Sequence, residues 1–301
     1  MRVLITGATG LIGSSITKLC LEKRIEVYYL TTSKEKIENS QNYKGFYWNP
    51  KENKIDENCI EGVDKIINLV GASVAERWTD EQKKAIIDSR VECANVLYNL
   101  LDKKENKVTQ IVSASAIGIY PDSLTKLYHE DSPNVADNFL GNVVIEWERA
   151  VNKFQKLGIE VAKIRIGVVL GEGGGALQKM KEPIENGFGS PLGSGKQWQS
   201  WIHIEDLARI FLFALEKDLE GVYNGVAPNP VTNKKLTNSI AKVLNKNLWM
   251  PNVPAFMLKL ILGEMATIVL ASQLVSNQKI DAHGFKYHYS HILPALKDIL
   301  K

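Results

Sequence analysis

Met1–Ile16 reads MRVLITGATGLIGSSI. Arg2–Thr6 is an apolar, β-branched run of buried-strand type, and Leu11, Ile12, Ile16, Leu19 and Cys20 recur at helical spacing. Between them Gly7, Gly10 and Gly13 stand in the order G-x-x-G-x-x-G. Strand, glycine turn and helix in that order open a dinucleotide-binding sheet. The first glycine permits a tight turn, the second lets backbone approach a pyrophosphate, and the third lets helix and sheet pack closely. The helix N-terminus adds free N–H groups and a dipole that favours negative charge. A glycine turn can be purely structural; its position at the head of a β-α-β unit is what points to a cofactor.

Outward from that loop, short β-branched runs alternate with amphipathic stretches. Strands are expected at 26–32, 45–49, 64–71, 109–120 and 160–171, with long helices over 80–103 and 138–158. Strands separated by helices imply parallel β-α-β units, so the fold class is α/β, a Rossmann-type doubly wound parallel sheet. After GEGGGA (171–176) the pattern turns irregular, with helices near 205–217, 233–245 and 254–272. That change predicts a smaller α+β C-terminal substrate lobe. The expected division is 1–171 for cofactor and 172–301 for substrate, interleaved so that 201–232 returns to the first domain.

Composition narrows the partners. The chain has 301 residues, 37 Lys and Arg against 34 Asp and Glu, and a net charge of +3. Charge this even, with no basic stripe, gives no reason to expect nucleic acid. Cys20, Cys59 and Cys93 are far apart and form no C-x-x-C, which suits a reducing compartment. The N-terminus runs straight into a strand pattern without signal-peptide features. The most apolar late segment, FMLKLILGEMATIVLAS (256–272), carries Lys259 and Glu264 and does not read as a membrane span. The expected setting is the cytoplasm, with an unidentified small-molecule substrate and dimerisation with a second copy left open.

The end of the second strand bears on which cofactor is held. NAD sites place a carboxylate there for the ribose 2′-hydroxyl. Here the residues are Leu30, Thr31, Thr32, Ser33 and Lys34, with no carboxylate. Hydroxyls and a lysine suit a 2′-phosphate, so NADP is favoured over NAD; otherwise Lys34 is an ordinary surface lysine.

With GATGLIG (7–13), NLVGA (68–72) and WIHIEDLA (201–208), the sequence resembles the extended short-chain dehydrogenase/reductases, which include nucleotide-sugar epimerases and dehydratases. RWTDEQKKAIIDSR (77–90), GGALQKM (174–180), GSGKQWQSWIHIED (193–206) and GEMATIVLASQ (263–273) narrow the resemblance to the "epimerase family protein" branch with its C-terminal tail domain. It covers essentially the whole chain. It implies that Gly7, Thr9, Gly10, Leu11, Ile12 and Gly13 contact the pyrophosphate and that Thr31 and Thr32 lie near the adenosine ribose. It also implies that Asn68, Leu69, Val70 and Gly71 line the cofactor groove. Arg90 and Arg165 are candidates for the same groove, with an ion pair as the alternative for each.

The resemblance breaks at the reaction centre. Active relatives carry Tyr-x-x-x-Lys on the helix after strand five, together with a Ser or Thr at that strand's end. A free phenol has a pKa near 10, and the lysine and the nicotinamide ribose lower it into a usable range. The corresponding helix here begins NFLGNVVIEWERA, which puts Phe139 and Val143 at the two places. Neither moves a proton. Tyr47 and Lys51 match the spacing, but Pro50 and a strand context keep them off a shared helix face. The remaining catalytic candidates are Ser115, counterpart of the family's Ser/Thr, and Tyr120 as a substitute acid; core packing is the other fate for Tyr120.

In the second lobe, a nucleotide-sugar enzyme usually places an arginine before its H-x-x-D motif. Gln197 to Trp201 contains none, which argues against a nucleotide sugar. Lys196 could instead hold a negative group, and Trp198 and Trp201 could supply flat apolar surface. His203 and Asp206 are expected to orient the second lobe. His283, His288 and His291 fit no helix face, and no metal site is expected.

Two functions stay open. One is an NADP(H)-dependent oxidoreductase or epimerase without the usual dyad; the other is a non-catalytic, NADPH-responsive binding protein.

Overall fold

The computed structural model describes residues 1–301. Seven parallel strands make up the body of one nine-stranded sheet: β1 (Arg2–Thr6), β2 (Glu26–Thr31), β3 (Tyr43–Asn49), β4 (Lys65–Asn68), β5 (Gln110–Ala116), β6 (Glu160–Ile166) and β7 (Gly221–Gly225); two short antiparallel strands, Asn39–Ser40 and Lys54–Ile55, edge β3. The order of the seven across the sheet is β3-β2-β1-β4-β5-β6-β7, and every neighbouring pair in that order is parallel. The chain therefore winds outward from β1 in both directions. Its switch point lies between β1 and β4, where a crevice opens beyond the strand ends.

Burial explains the strand sequences. Val3, Leu4, Ile5, Ile66, Ile67, Ile111 and Val112 are completely buried, as expected of strands covered on both faces. The cover comes from α1 (Leu11–Glu22), α2 (Asp80–Lys103), α3 (Phe139–Asn152) and, beyond α4 (Gly175–Glu185), α5 (Ile204–Glu216). Helix α1 packs on α5, and α2 packs on α3. Thr79 caps α2 by accepting the Gln82 N–H at 3.2 Å, and Asn138 caps α3 by accepting the Gly141 N–H at 3.0 Å.

Three details differ from the sequence expectation. The strand at 160–171 breaks at Gly167: β6 stays in the main sheet, while Val168–Leu170 pairs with Trp201–His203. The chain re-enters the main sheet through α5 and β7 within 201–232, and what differs is only the strand at Gly221–Gly225, which the periodicity did not signal. The expected helix over 254–272 is divided into α7 (Ala255–Leu262) and α8 (Ala266–Leu270), beyond α6 (Asn233–Val243), because Gly263 takes φ +59 and ends the first piece.

The second lobe has its own core, in which Leu177, Trp201, Leu236 and Ile240 meet Ala295 and Leu296 of the last helix. Asp206, fully buried, accepts the backbone N–H groups of His288 and Tyr289 at 2.9 and 2.8 Å. The His203 ring stacks on Tyr289 with centroids 3.8 Å apart. His203 and Asp206 thus dock the C-terminal tail. Trp201 is core and Trp198 bonds the Leu124 carbonyl, so neither offers a platform to a ligand.

Candidate functional site

The glycine loop closes the C-terminal end of β1. Gly7 takes φ +74, and its backbone turn brings the Gly10 N–H to the Gly7 carbonyl at 3.1 Å. Gly13 is where helix and loop touch: a Cβ there would sit 2.1 Å from the Gly7 oxygen. Gly10 heads α1 with no side-chain cap, and no acidic residue occupies the first turn. Thr9 and Gly10 are exposed, while Leu11 and Ile12 are half-buried beneath them. An uncapped helix N-terminus behind an open glycine turn has the donors and dipole that a pyrophosphate requires.

At the end of β2, Thr31 is buried and its hydroxyl accepts the Ser33 N–H at 3.2 Å. Thr32 and Lys34 are exposed, with Lys34 Nζ 5.2 Å from the Tyr47 ring centroid. The Ser33 hydroxyl donates to Glu35 at 2.5 Å, and that bond holds the Glu35 carboxyl below its ordinary range. Glu35 lies one residue past the stretch on which the cofactor preference was read. It sets a negative charge beside Ser33.

At β4, Asn68 does not face the crevice. Its side chain ties three strands together, accepting from Thr6 Oγ1 at 2.9 Å and donating to Ser113 Oγ at 3.0 Å. Thr6 Oγ1 also accepts the Leu69 N–H at 3.0 Å. Leu69 and Val70 are half-buried next to Gly7. Gly71 makes room for a guanidinium, since a Cβ there would lie 2.6 Å from Arg90 Cζ.

Arg165, Ser115 and Tyr120 need correction. Arg165 forms a two-point pair with Glu148 (Nε to Oε1 2.9 Å, Nη2 to Oε2 3.0 Å) and also donates to the Tyr120 hydroxyl at 3.0 Å. It forms an internal ion pair, the alternative raised for it by the sequence. The Ser115 hydroxyl donates to Glu148 at 2.6 Å, and the Tyr120 hydroxyl donates to Asn224 at 2.7 Å. Burial raises the Tyr120 phenol and Arg165 only partly offsets this, the opposite of what a catalytic phenol needs. Burial alone would raise Glu148 as well, but the bonds and charge of Arg165 hold it below its ordinary value. Both hydroxyls proposed for acid/base work are committed to this sealed network. Glu148 was not singled out in the sequence, although Val144, Trp147 and Val151 already mark its side of α3 as the inner one.

Beside the network lies a cavity of about 230 Å³ between α3 and the 267–273 segment. Leu140, Val143, Val144 and Trp147 line it from α3, Ile117 from the end of β5, and Ile268 and Ala271 from the tail. Phe139, expected at the tyrosine place, turns instead against Trp78, with ring centroids 4.8 Å apart. The α3 residues at the cavity wall are apolar side chains spread over about two turns, and the helix contains neither tyrosine nor lysine. Arg90 reaches the same cavity from α2. Lys196 is exposed and lies outside it.

One further element was legible only as a boundary. Gly173, Gly174 and Gly175 all take positive φ, and a Cβ on Gly175 would come within 3.2 Å of Leu11 Cδ2. The glycine stretch that closes the first half of the sequence therefore borders the first glycine loop.

Residues 3–225 match the model of the NAD dependent epimerase/dehydratase family, and residues 253–299 match a domain of unknown function, DUF1731. The chain belongs to the NAD dependent epimerase/dehydratase family. Among relatives, an epimerase family protein of Staphylococcus aureus is 36% identical over 305 residues, covering 100% of this chain and 99% of the relative. The chloroplastic SDR39U1 homologue of Arabidopsis thaliana, also an epimerase family protein, is 38% identical over 307 residues, covering 100% of this chain and 87% of the relative. The crystal structure of human epimerase family protein SDR39U1 with NADPH superposes with a TM-score of 0.85 at 31% identity, over 99% of both chains. Thermus thermophilus UDP-glucose 4-epimerase in complex with NAD matches with a TM-score of 0.78, over 100% of this chain and 98% of that one; at 20% identity it speaks for the fold alone. The epimerase-family fold is a nicotinamide cofactor-binding fold, and the uncapped glycine cradle of this chain fits that group. No helix is long and apolar enough to cross a membrane.

Proposed function

We propose that this protein is an NADP(H)-dependent oxidoreductase that holds its cofactor along the crevice at β1, β2 and β4 and its substrate in the cavity under α3. The observation that carries it is the pairing of an uncapped, exposed glycine N-terminus with a largely apolar cavity on the same edge of the sheet. A bound nicotinamide supplies hydride chemistry by itself. The chain's part is to hold, orient and exclude water: Gly7 and Gly13 shape the phosphate cradle, and the apolar wall keeps the reacting centre dry.

NADP is favoured over NAD by the exposed Thr32 and Lys34 at the end of β2 and by the NADPH bound to human SDR39U1. Glu35 weighs the other way, through its bond to Ser33. Oxidoreduction is favoured over epimerisation because α3 offers no group to take a proton from one face of a carbon and return it to the other. The substrate is a small molecule, and one chain supplies the whole cavity wall. Three buried, unpaired cysteines fit a reducing cytoplasm.

The sealed hydroxyls of Ser115 and Tyr120 favour one alternative, a binding protein that responds to NADPH without turnover. Incubating the protein with NADPH and a panel of ketones, aldehydes and oxo acids separates the two. Substrate-dependent loss of nicotinamide absorbance supports the oxidoreductase. NADPH binding with no turnover across the panel, joined to an NADPH-dependent change in proteolytic protection, supports the alternative.

A further inference from the structure

The two buried arginines of this region are built in opposite ways. Arg165 has a carboxylate on two of its nitrogens. Arg90 has none. Its side chain is 9% exposed, and Nη1 donates to the carbonyls of Ala72 and Ile86 at 3.2 and 2.7 Å, while Nε finds no acceptor. Trp147, 6% exposed, lies with its ring centroid 4.8 Å from Arg90 Cζ, and its Nε1 also lacks an acceptor. Burial brings the Arg90 guanidinium down to about 10, which leaves it charged at neutral pH. A buried cation without a counter-charge is costly, and a native structure that keeps one at a cavity wall has a use for the missing acceptor. The wall also carries Tyr120, Asn138, Thr267 and Gln273 and is otherwise mainly apolar. Asp122 stands at the exposed mouth with its carboxylate on the Ser272 N–H at 2.8 Å.

Resting on the reading of this cavity as the substrate site, we propose that its substrate is a small, largely apolar monocarboxylate whose carboxylate sits on Arg90 and whose body packs against Trp147, Leu140 and Val144. A planar two-oxygen anion matches the guanidinium fork. A neutral ketone of the same shape leaves the guanidinium unpaired.

Calorimetric titration of the full chain, with and without NADPH, tests this using phenylpyruvate, octanoate and the neutral ketone benzylacetone. At least one carboxylate is expected to bind about tenfold or more tightly than benzylacetone. Arg90→Met erases that preference, whereas Arg90→Lys retains part of it because the charge remains. Thermal melts of both variants establish that they are folded. Equal or tighter binding of benzylacetone overturns the proposal, as does failure of both carboxylates to bind. It is equally overturned if Arg90→Met abolishes NADPH binding while the carboxylate preference survives, since the guanidinium then serves the cofactor. If the wild-type protein ignores NADPH yet prefers carboxylates, the oxidoreductase reading fails and the carboxylate site stands.

Discussion

Two ends of one sheet edge treat their polar groups differently. At the β1–α1 turn the helix N-terminus is left uncapped, Gly10 is exposed, and nothing acidic occupies the first turn. At the β5–β6–α3 corner, Ser115, Glu148, Arg165, Tyr120 and Asn224 bond one another inside the protein. Open donors belong where a ligand arrives, and closed networks hold a fold together. In this chain the corner where α3 meets β5 and β6 is of the closed kind. Arg90 is the exception there, a donor left open at the wall of an apolar cavity.

Breaking the closed end gives the largest effect. Glu148→Ala strands Arg165 as a buried, uncompensated cation and is expected to cost about 3–5 kcal/mol in chemical denaturation. Replacing both partners, Glu148→Leu with Arg165→Met, recovers much of that loss; no recovery would show that the pair does more than satisfy itself. The same pair gives a pH dependence. Glu148 titrates below its ordinary value in the folded state. Its stabilisation is therefore complete above the ordinary glutamate range and is lost as pH falls through the depressed folded value. Denaturation midpoints should fall on acidification in the wild type and fall less in the double variant.

At the open end, Gly13→Val forces a side chain into the Gly7 carbonyl. It is expected to destabilise the fold by about 1–3 kcal/mol and to remove cofactor binding altogether. A folded variant that still binds NADPH would mean the loop does not carry the phosphates. Tyr120→Phe returns to the closed end, with an expected stability loss of about 1–2 kcal/mol from unsatisfied partners and any turnover within about twofold of wild type. A large fall in kcat at unchanged KM would give the phenol a chemical role. The smallest effect is expected from exposed Lys34: Lys34→Ala should weaken NADPH by about 0.5–1 kcal/mol, leave NADH unchanged, and lose its effect at high salt.

The open end was the more legible of the two in the sequence. Glycine spacing is a local backbone property, and G-x-x-G-x-x-G between a strand and a helix has few other uses. The strand–helix alternation likewise predicted a parallel sheet. The closed end depends on side chains brought together from β5, α3, β6 and β7, up to 109 residues apart in sequence between Ser115 and Asn224. Ser115 and Tyr120 stood at plausible catalytic positions, but nothing local told that Glu148 and Asn224 would claim their hydroxyls. Phe139 and Val143 follow from the family resemblance, but in the fold Phe139 turns toward Trp78 while Leu140, Val143 and Val144 line the cavity. Strand β7 was missed because Gly221 and Gly225 dilute its β-branched pattern. Glu35 lies one residue beyond the hydroxyl stretch at the end of β2, where its bond to Ser33 depends on the loop geometry rather than on a sequence motif.

The most direct test of the open end as a cofactor cradle is a titration of the wild-type protein with NADPH and NADH, followed by tryptophan quenching and nicotinamide fluorescence, with Gly13→Val as the control. Saturable binding that is tighter for NADPH and absent in the variant is the predicted result. Failure of both nucleotides to bind the folded wild-type protein would contradict it.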